Sequence, residues 1–114
     1  MMEVNYKTLK NGVVVINGPK RLTSDSAADY KKLLNSLVEK GNFNIVVDLS
    51  ATEYMDSRGL GAIVSKISVL RSNNGDIRLA GATTQVRQLL EITHLNQILK
   101  SYPDLRAAVN SFKE

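Results

Sequence analysis

Ile45-Val46-Val47-Asp48-Leu49 is a run of branched and aliphatic residues with almost no polar alternation. A strand wetted on one face alternates apolar and polar side chains. A short run without that alternation predicts a strand covered on both faces, at the centre of a parallel or mixed sheet. The segments on either side fit that reading.

Upstream, Val4 and Tyr6 alternate with polar residues, Lys10-Asn11-Gly12 carries the Asn-Gly pair favoured in type I′ turns, and Val13 to Ile16 form a second apolar run, so an N-terminal β-hairpin is expected. After Asn17-Gly18-Pro19, Thr23 or Ser24 can cap a helix that turns Ala27, Tyr30, Leu34, Leu37 and Val38 inward and Lys31, Lys32 and Asn35 outward, ending at Gly41. Downstream, Leu60, Ile63, Val64, Ile67 and Leu70 mark a second helix, stopped by Ser72-Asn73-Asn74-Gly75. Ile77 to Ala80 reads as another strand, and Thr83 or Thr84 as the cap of a third helix with Val86, Leu89 and Leu90 inward. Ile98-Leu99 is expected to form a short edge strand, and Pro103-Asp104 to open a last helix carrying Leu105, Ala108, Val109 and Phe112. The order ββαβαβα(β)α predicts an α/β sandwich, a mixed sheet with four helices.

The 114 residues, 43% of them apolar, suffice for one domain with one core, here residues 1–114. There is no cysteine and one histidine, so neither a disulfide framework nor a structural metal is expected, and no cofactor is called for. MMEVNYKTLK lacks an uninterrupted apolar stretch, and nothing elsewhere approaches the ~18 apolar residues of a membrane span, so a cytoplasmic protein is expected. The net charge of +4 raises the question of a polyanionic partner. Its lysines and arginines are scattered, with Lys20-Arg21 and Lys31-Lys32 the tightest groups, so a solvated surface is expected and no nucleic acid.

Beyond the central strand stands Met55-Asp56-Ser57-Arg58-Gly59-Leu60-Gly61. Ser57 falls at a helix N-terminus, on the end of the sheet where α/β proteins place their sites; unpaired amides and the helix dipole there favour an anion. The plain structural reading is a cap by Asp56 or Ser57, worth on the order of 1 kcal/mol. It leaves two glycines unexplained, each costing about 1 kcal/mol in a helix relative to alanine, so something must pass close to this turn. A dinucleotide fingerprint would need a third glycine where Val64 stands, and a Walker loop would need a Gly-Lys pair followed by Ser or Thr, which the chain lacks. A serine hydrolase would need a base. The lone His94 ends a helix, where its ordinary role is to meet free carbonyls and the dipole.

The pair Ile45-Val46-Val47-Asp48-Leu49-Ser50 and Met55-Asp56-Ser57-Arg58-Gly59-Leu60-Gly61-Ala62, followed by Ile77-Arg78-Leu79-Ala80-Gly81 and the Val86, Leu89-Leu90, His94-Leu95 series, resembles a STAS domain of the anti-sigma factor antagonist type over almost the whole chain. The resemblance implies a non-enzymatic switch in regulation of transcription. The unmodified antagonist binds an anti-sigma factor, often a serine kinase of the histidine-kinase-like ATPase type, and so frees a sigma factor. Ser57 matches the phosphorylation site, and a PP2C-type serine phosphatase would reverse the mark. The implied docking edge is Leu22, Thr23, Ser24 and Asp25 with Asp56, Ser57, Arg58, Gly59 and Leu60, on a monomer or weak dimer. Two positions depart from the family pattern. Arg58 stands where many relatives have a small residue, and Thr23 where an aspartate is common. Other roles stay open: a subunit of another signalling assembly or of a lipid transporter, with Ser57 only a cap, or a direct nucleotide binder.

Overall fold

The computed structural model describes residues 6–112. Val4 of the expected hairpin lies outside them. Strands β1 (Tyr6–Thr8) and β2 (Val14–Asn17) form that hairpin, with Tyr6 opposite Ile16 and Thr8 opposite Val14. Its connection is not a type I′ turn. The Gly12 N–H donates to the Leu9 carbonyl at 3.0 Å, and of the Asn-Gly pair only Gly12 has a positive φ, +88°. Asn11 instead uses its side chain, accepting the Val13 N–H at 3.2 Å. This longer loop, a turn followed by one left-handed glycine, matches strand twist as the two-residue turn does.

After β3 (Arg21–Leu22), helix α1 (Ser24–Glu39) buries Ala27, Tyr30, Leu34 and Leu37, as its spacing predicts. It closes when the Gly41 and Asn42 amides donate to the Val38 and Leu37 carbonyls, a Schellman end. The central strand β4 (Asn44–Asp48) leads through β5 (Tyr54–Met55) to α2 (Ser57–Val64). The second expected helix is broken there. Ser65 donates its hydroxyl to the Ala62 carbonyl at 2.7 Å, Lys66 leaves the helical region, and the chain restarts as α3 (Ile67–Ser72). Strand β6 (Asp76–Ala80), α4 (Thr84–Ile92), a 3₁₀ turn (Leu95–Gln97), β7 (Ser101–Tyr102) and α5 (Leu105–Asn110) complete the order.

The main sheet runs β1-β2-β4-β6-β7, with β1 antiparallel and the other pairings parallel. Val46 lies between Val15 and Arg78. Ile45 and Val47 face one core with Val14, Ile16, Ile77, Leu79 and the apolar sides of the first four helical segments; Val46 faces a second with Val13, Ala80 and Ala108 of α5. Cover on both sides is why β4 shows no alternation.

The expected edge strand at Ile98-Leu99 is displaced. Leu99 is buried in the core, Ile98 is exposed after the 3₁₀ turn, and Ser101 and Tyr102 pair with Leu79 and Ala80. An edge strand joined by two backbone pairs needs no apolar run, so the run marked core burial instead.

Tyr30, buried under α1, donates its hydroxyl to the Asn17 carbonyl at 2.6 Å, and burial pushes its ionisation well above the ordinary 10.0. Because the folded value is the raised one, Tyr30 contributes fully below that ordinary value and its contribution is lost as pH rises beyond it. Denaturant unfolding from about pH 9 to pH 11 should therefore cost the wild type more stability than Tyr30→Phe, with a limiting slope of about 1.4 kcal/mol per pH unit. At neutral pH the variant should lose about 1 kcal/mol with its hydrogen bond.

Candidate functional site

The loops leaving the C-terminal ends of β2 and β4 meet as a second, two-stranded sheet. In it β3 and β5 pair in parallel, Arg21 beside Tyr54 and Leu22 beside Met55. The Glu53 N–H donates to the Lys20 carbonyl at 2.8 Å, and the Asp56 N–H to the Leu22 carbonyl at 3.2 Å. This ribbon sets the starts of α1 and α2 side by side, and the two helices pack against each other. It therefore joins the two segments that the family resemblance implies form one docking edge.

Each start is capped locally. The Thr23 N–H donates to Ser26 Oγ at 3.1 Å, and that buried hydroxyl lies 3.2 Å from the Arg21 carbonyl, tying α1 to the ribbon. At α2 the cap is Asp56, whose Oδ1 accepts the Gly59 N–H at 2.9 Å. Ser57 is the first helical residue, exposed, with no protein partner for its amide or hydroxyl among the described residues. Ser24, Asp25 and Arg58 are exposed, and Thr23 and Asp56 half-buried. Leu22, Gly59 and Leu60 are buried and support the edge from within.

What passes close to the turn is now visible for one glycine. A Cβ on Gly59 would lie 2.1 Å from the Leu22 carbonyl oxygen, so only glycine lets α2 sit against the ribbon. A Cβ on Gly61 would meet no other segment within 4 Å among the described residues. Gly61 lines an open groove of about 510 Å³ between α1 and α2, together with Ala27, Ala28, Lys31 and Arg58.

Two residues that sequence reading passes over hold the site. Ser26 is one. Gln85 on α4 is the other: its Oε1 accepts the Met55 N–H and its Nε2 donates to the Met55 carbonyl, both at 2.9 Å, so a side chain does the work of a neighbouring strand. Neither has a local signal, because a serine or glutamine in a helix reads as surface. Arg21 stacks over Tyr54, 4.8 Å from the ring centroid, on the outer side of the ribbon. His94 ends α4, exposed and left-handed at φ 62°.

A mixed sheet with four helices, one of them broken, and an exposed serine at the start of the second helix define a class of small α/β modules. The STAS domain profile matches residues 5–108, and the chain belongs to that family. A candidate anti-sigma factor antagonist of Thermotoga neapolitana is 31% identical over 105 residues, 91% of this chain and 92% of that protein. The anti-sigma-B factor antagonist of Staphylococcus aureus is 30% identical over 71 residues, covering 62% of this chain and 66% of its own length. The crystal structure of a candidate anti-sigma factor antagonist from Thermotoga maritima superposes with a TM-score of 0.88 at 28% identity, covering 97% of this chain and 95% of that one.

Proposed function

We propose that this chain is an anti-sigma factor antagonist whose binding is switched by phosphorylation of Ser57. The observation that carries the reading is the place of Ser57. It is exposed at the first turn of α2, beside the start of α1, on a surface that the ribbon pre-assembles. A histidine-kinase-like anti-sigma factor would dock on Thr23, Ser24 and Asp25 together with Asp56, Ser57 and Arg58, and would release a sigma factor on doing so. The same protein would phosphorylate Ser57, and a PP2C-type phosphatase would restore the binding form.

The switch needs no refolding. A phosphate adds about −1.5 to −2 charges at neutral pH, which a helix N-terminus tolerates. Against a partner carboxylate some 6 Å away, at an effective dielectric near 20, each added charge costs on the order of 3 kcal/mol, roughly a hundredfold in affinity. Asp56 next to the phosphate adds to the repulsion.

With such a kinase and ATP, the wild type should gain one phosphate by intact mass and Ser57→Ala none; label appearing elsewhere in the variant would sink the assignment. Ser57→Asp should bind the anti-sigma factor at least tenfold more weakly. Equal affinities would leave Ser57 as a helix residue of a structural subunit.

A further inference from the structure

The groove between α1 and α2 has a character that the docking edge alone does not explain. Gly59 is required by the Leu22 carbonyl, but a Cβ on Gly61, two residues on in the same helix, would meet no other segment among the described residues. A glycine within a helix is destabilising relative to alanine, so no intramolecular contact accounts for it. The space it leaves opens into the groove, beside Ala27 and Ala28. Side chains this small let a further helix approach at the short end of interaxial distances, about 8 Å.

The charge of the groove narrows the occupant. Lys31 and Arg58 are its charged residues, one from each wall. Among the described residues neither makes an ion pair or a side-chain hydrogen bond; the ion pairs of Arg71 and Arg78 are with Asp76, elsewhere in the fold. Among the described residues no carboxylate lines the groove. Asp25, Asp29 and Asp56 belong to the same stretch of chain but lie outside the lining. Two cations left without intramolecular partners, on either side of a floor shaped for close approach, complement a negatively charged helix.

We infer that the α1–α2 groove seats an acidic helix of the anti-sigma factor, held by Lys31 and Arg58 and admitted by Gly61. This rests on the proposed function and names the chemistry of its partner. It also assigns Arg58, which departs from the family pattern, to recognition. Phosphate on Ser57, one residue from Arg58, would compete for that cation and repel the incoming carboxylates.

The test titrates purified histidine-kinase-like anti-sigma factors with the 114-residue wild-type chain by calorimetry. Arg58→Glu and Lys31→Glu should each weaken binding tenfold or more, and wild-type affinity should fall as salt is raised from 50 to 300 mM, roughly the range over which surface charges become screened. Gly61→Ala should raise the melting temperature by a few degrees and still weaken binding about tenfold, a combination that a destabilised site would not give. Wild-type-like binding by both charge-reversed variants overturns this inference and leaves the proposed function standing. Failure of the wild type to bind any such anti-sigma factor overturns the proposed function, and the named occupant with it. Loss of binding to phosphatidylserine vesicles in these variants, with the kinase complex unchanged, would assign the groove to a lipid surface and likewise overturn the inference.

Discussion

Gly59→Ala is expected to lose about 3 kcal/mol of folding stability, lowering the melting temperature by roughly 10 °C. The methyl group would fall 2.1 Å from the Leu22 carbonyl oxygen and 2.7 Å from its carbon, and backbone cannot rotate away as a side chain can. Alanine's better helix propensity returns about 1 kcal/mol, which the clash exceeds. The displacement would fall on the contact between α2 and the ribbon, so the bond from the Asp56 amide to the Leu22 carbonyl should weaken even below the melting point. Thermal melts together with amide exchange at Asp56 would read both effects. A variant as stable as wild type would show that α2 can move off the ribbon freely. Alanine at Gly61 has the opposite expected sign, because its methyl meets only open space.

Asp76→Ala should cost about 3–5 kcal/mol in denaturant unfolding. Asp76 is a buried carboxylate at the first position of β6, accepting from Arg71 Nε at 3.1 Å, from Arg78 Nε at 3.0 Å and from the Ile77 amide at 2.9 Å. The side chain of Arg78 is only 12% exposed, so removing its counter-charge strands a cation in the interior. Arg78 also donates to the Ser111 carbonyl at 2.7 Å and lies over Phe112 at 4.2 Å, which fastens α5 to the second face of the sheet. Adding Arg78→Met to the variant should recover part of the loss, since a buried charge then no longer lacks its partner. A loss below about 1 kcal/mol would mean that the pair is solvated and weak. The cluster sits at the N-terminal ends of the strands, away from Ser57. Below the melting point the proposed modification of Ser57 should therefore be unaffected by the variant.

The elements easiest to read from sequence were those whose burial leaves a period. Unalternating Ile45 to Leu49 marked the covered central strand, and Ala27, Tyr30, Leu34 and Leu37 marked the buried stripe of α1. The elements that escaped are too short for a period or rest on distant partners. A two-residue strand such as Arg21–Leu22 or Tyr54–Met55 carries no pattern, and its pairing spans more than thirty positions. The apolar signal at Ile98-Leu99 was real but reported Leu99 entering the core, not the pairing of Ser101 and Tyr102. Ser65 ended α2 early through a local side-chain bond that apolar spacing does not register.

At the site the division is similar. A serine following an aspartate at a helix start, with two glycines behind it, is legible in the chain alone, because capping and helix propensity are local properties. The packed fold was needed to show that Asp56 is the cap, that Gly59 answers to Leu22 while a Cβ on Gly61 would meet no other segment among the described residues, and that Gln85 braces Met55. It also brought Lys31 and Arg58 to opposite sides of one groove. These are contacts between segments far apart in the chain. Their energies depend on distances of a few ångströms that no run of neighbouring residues encodes.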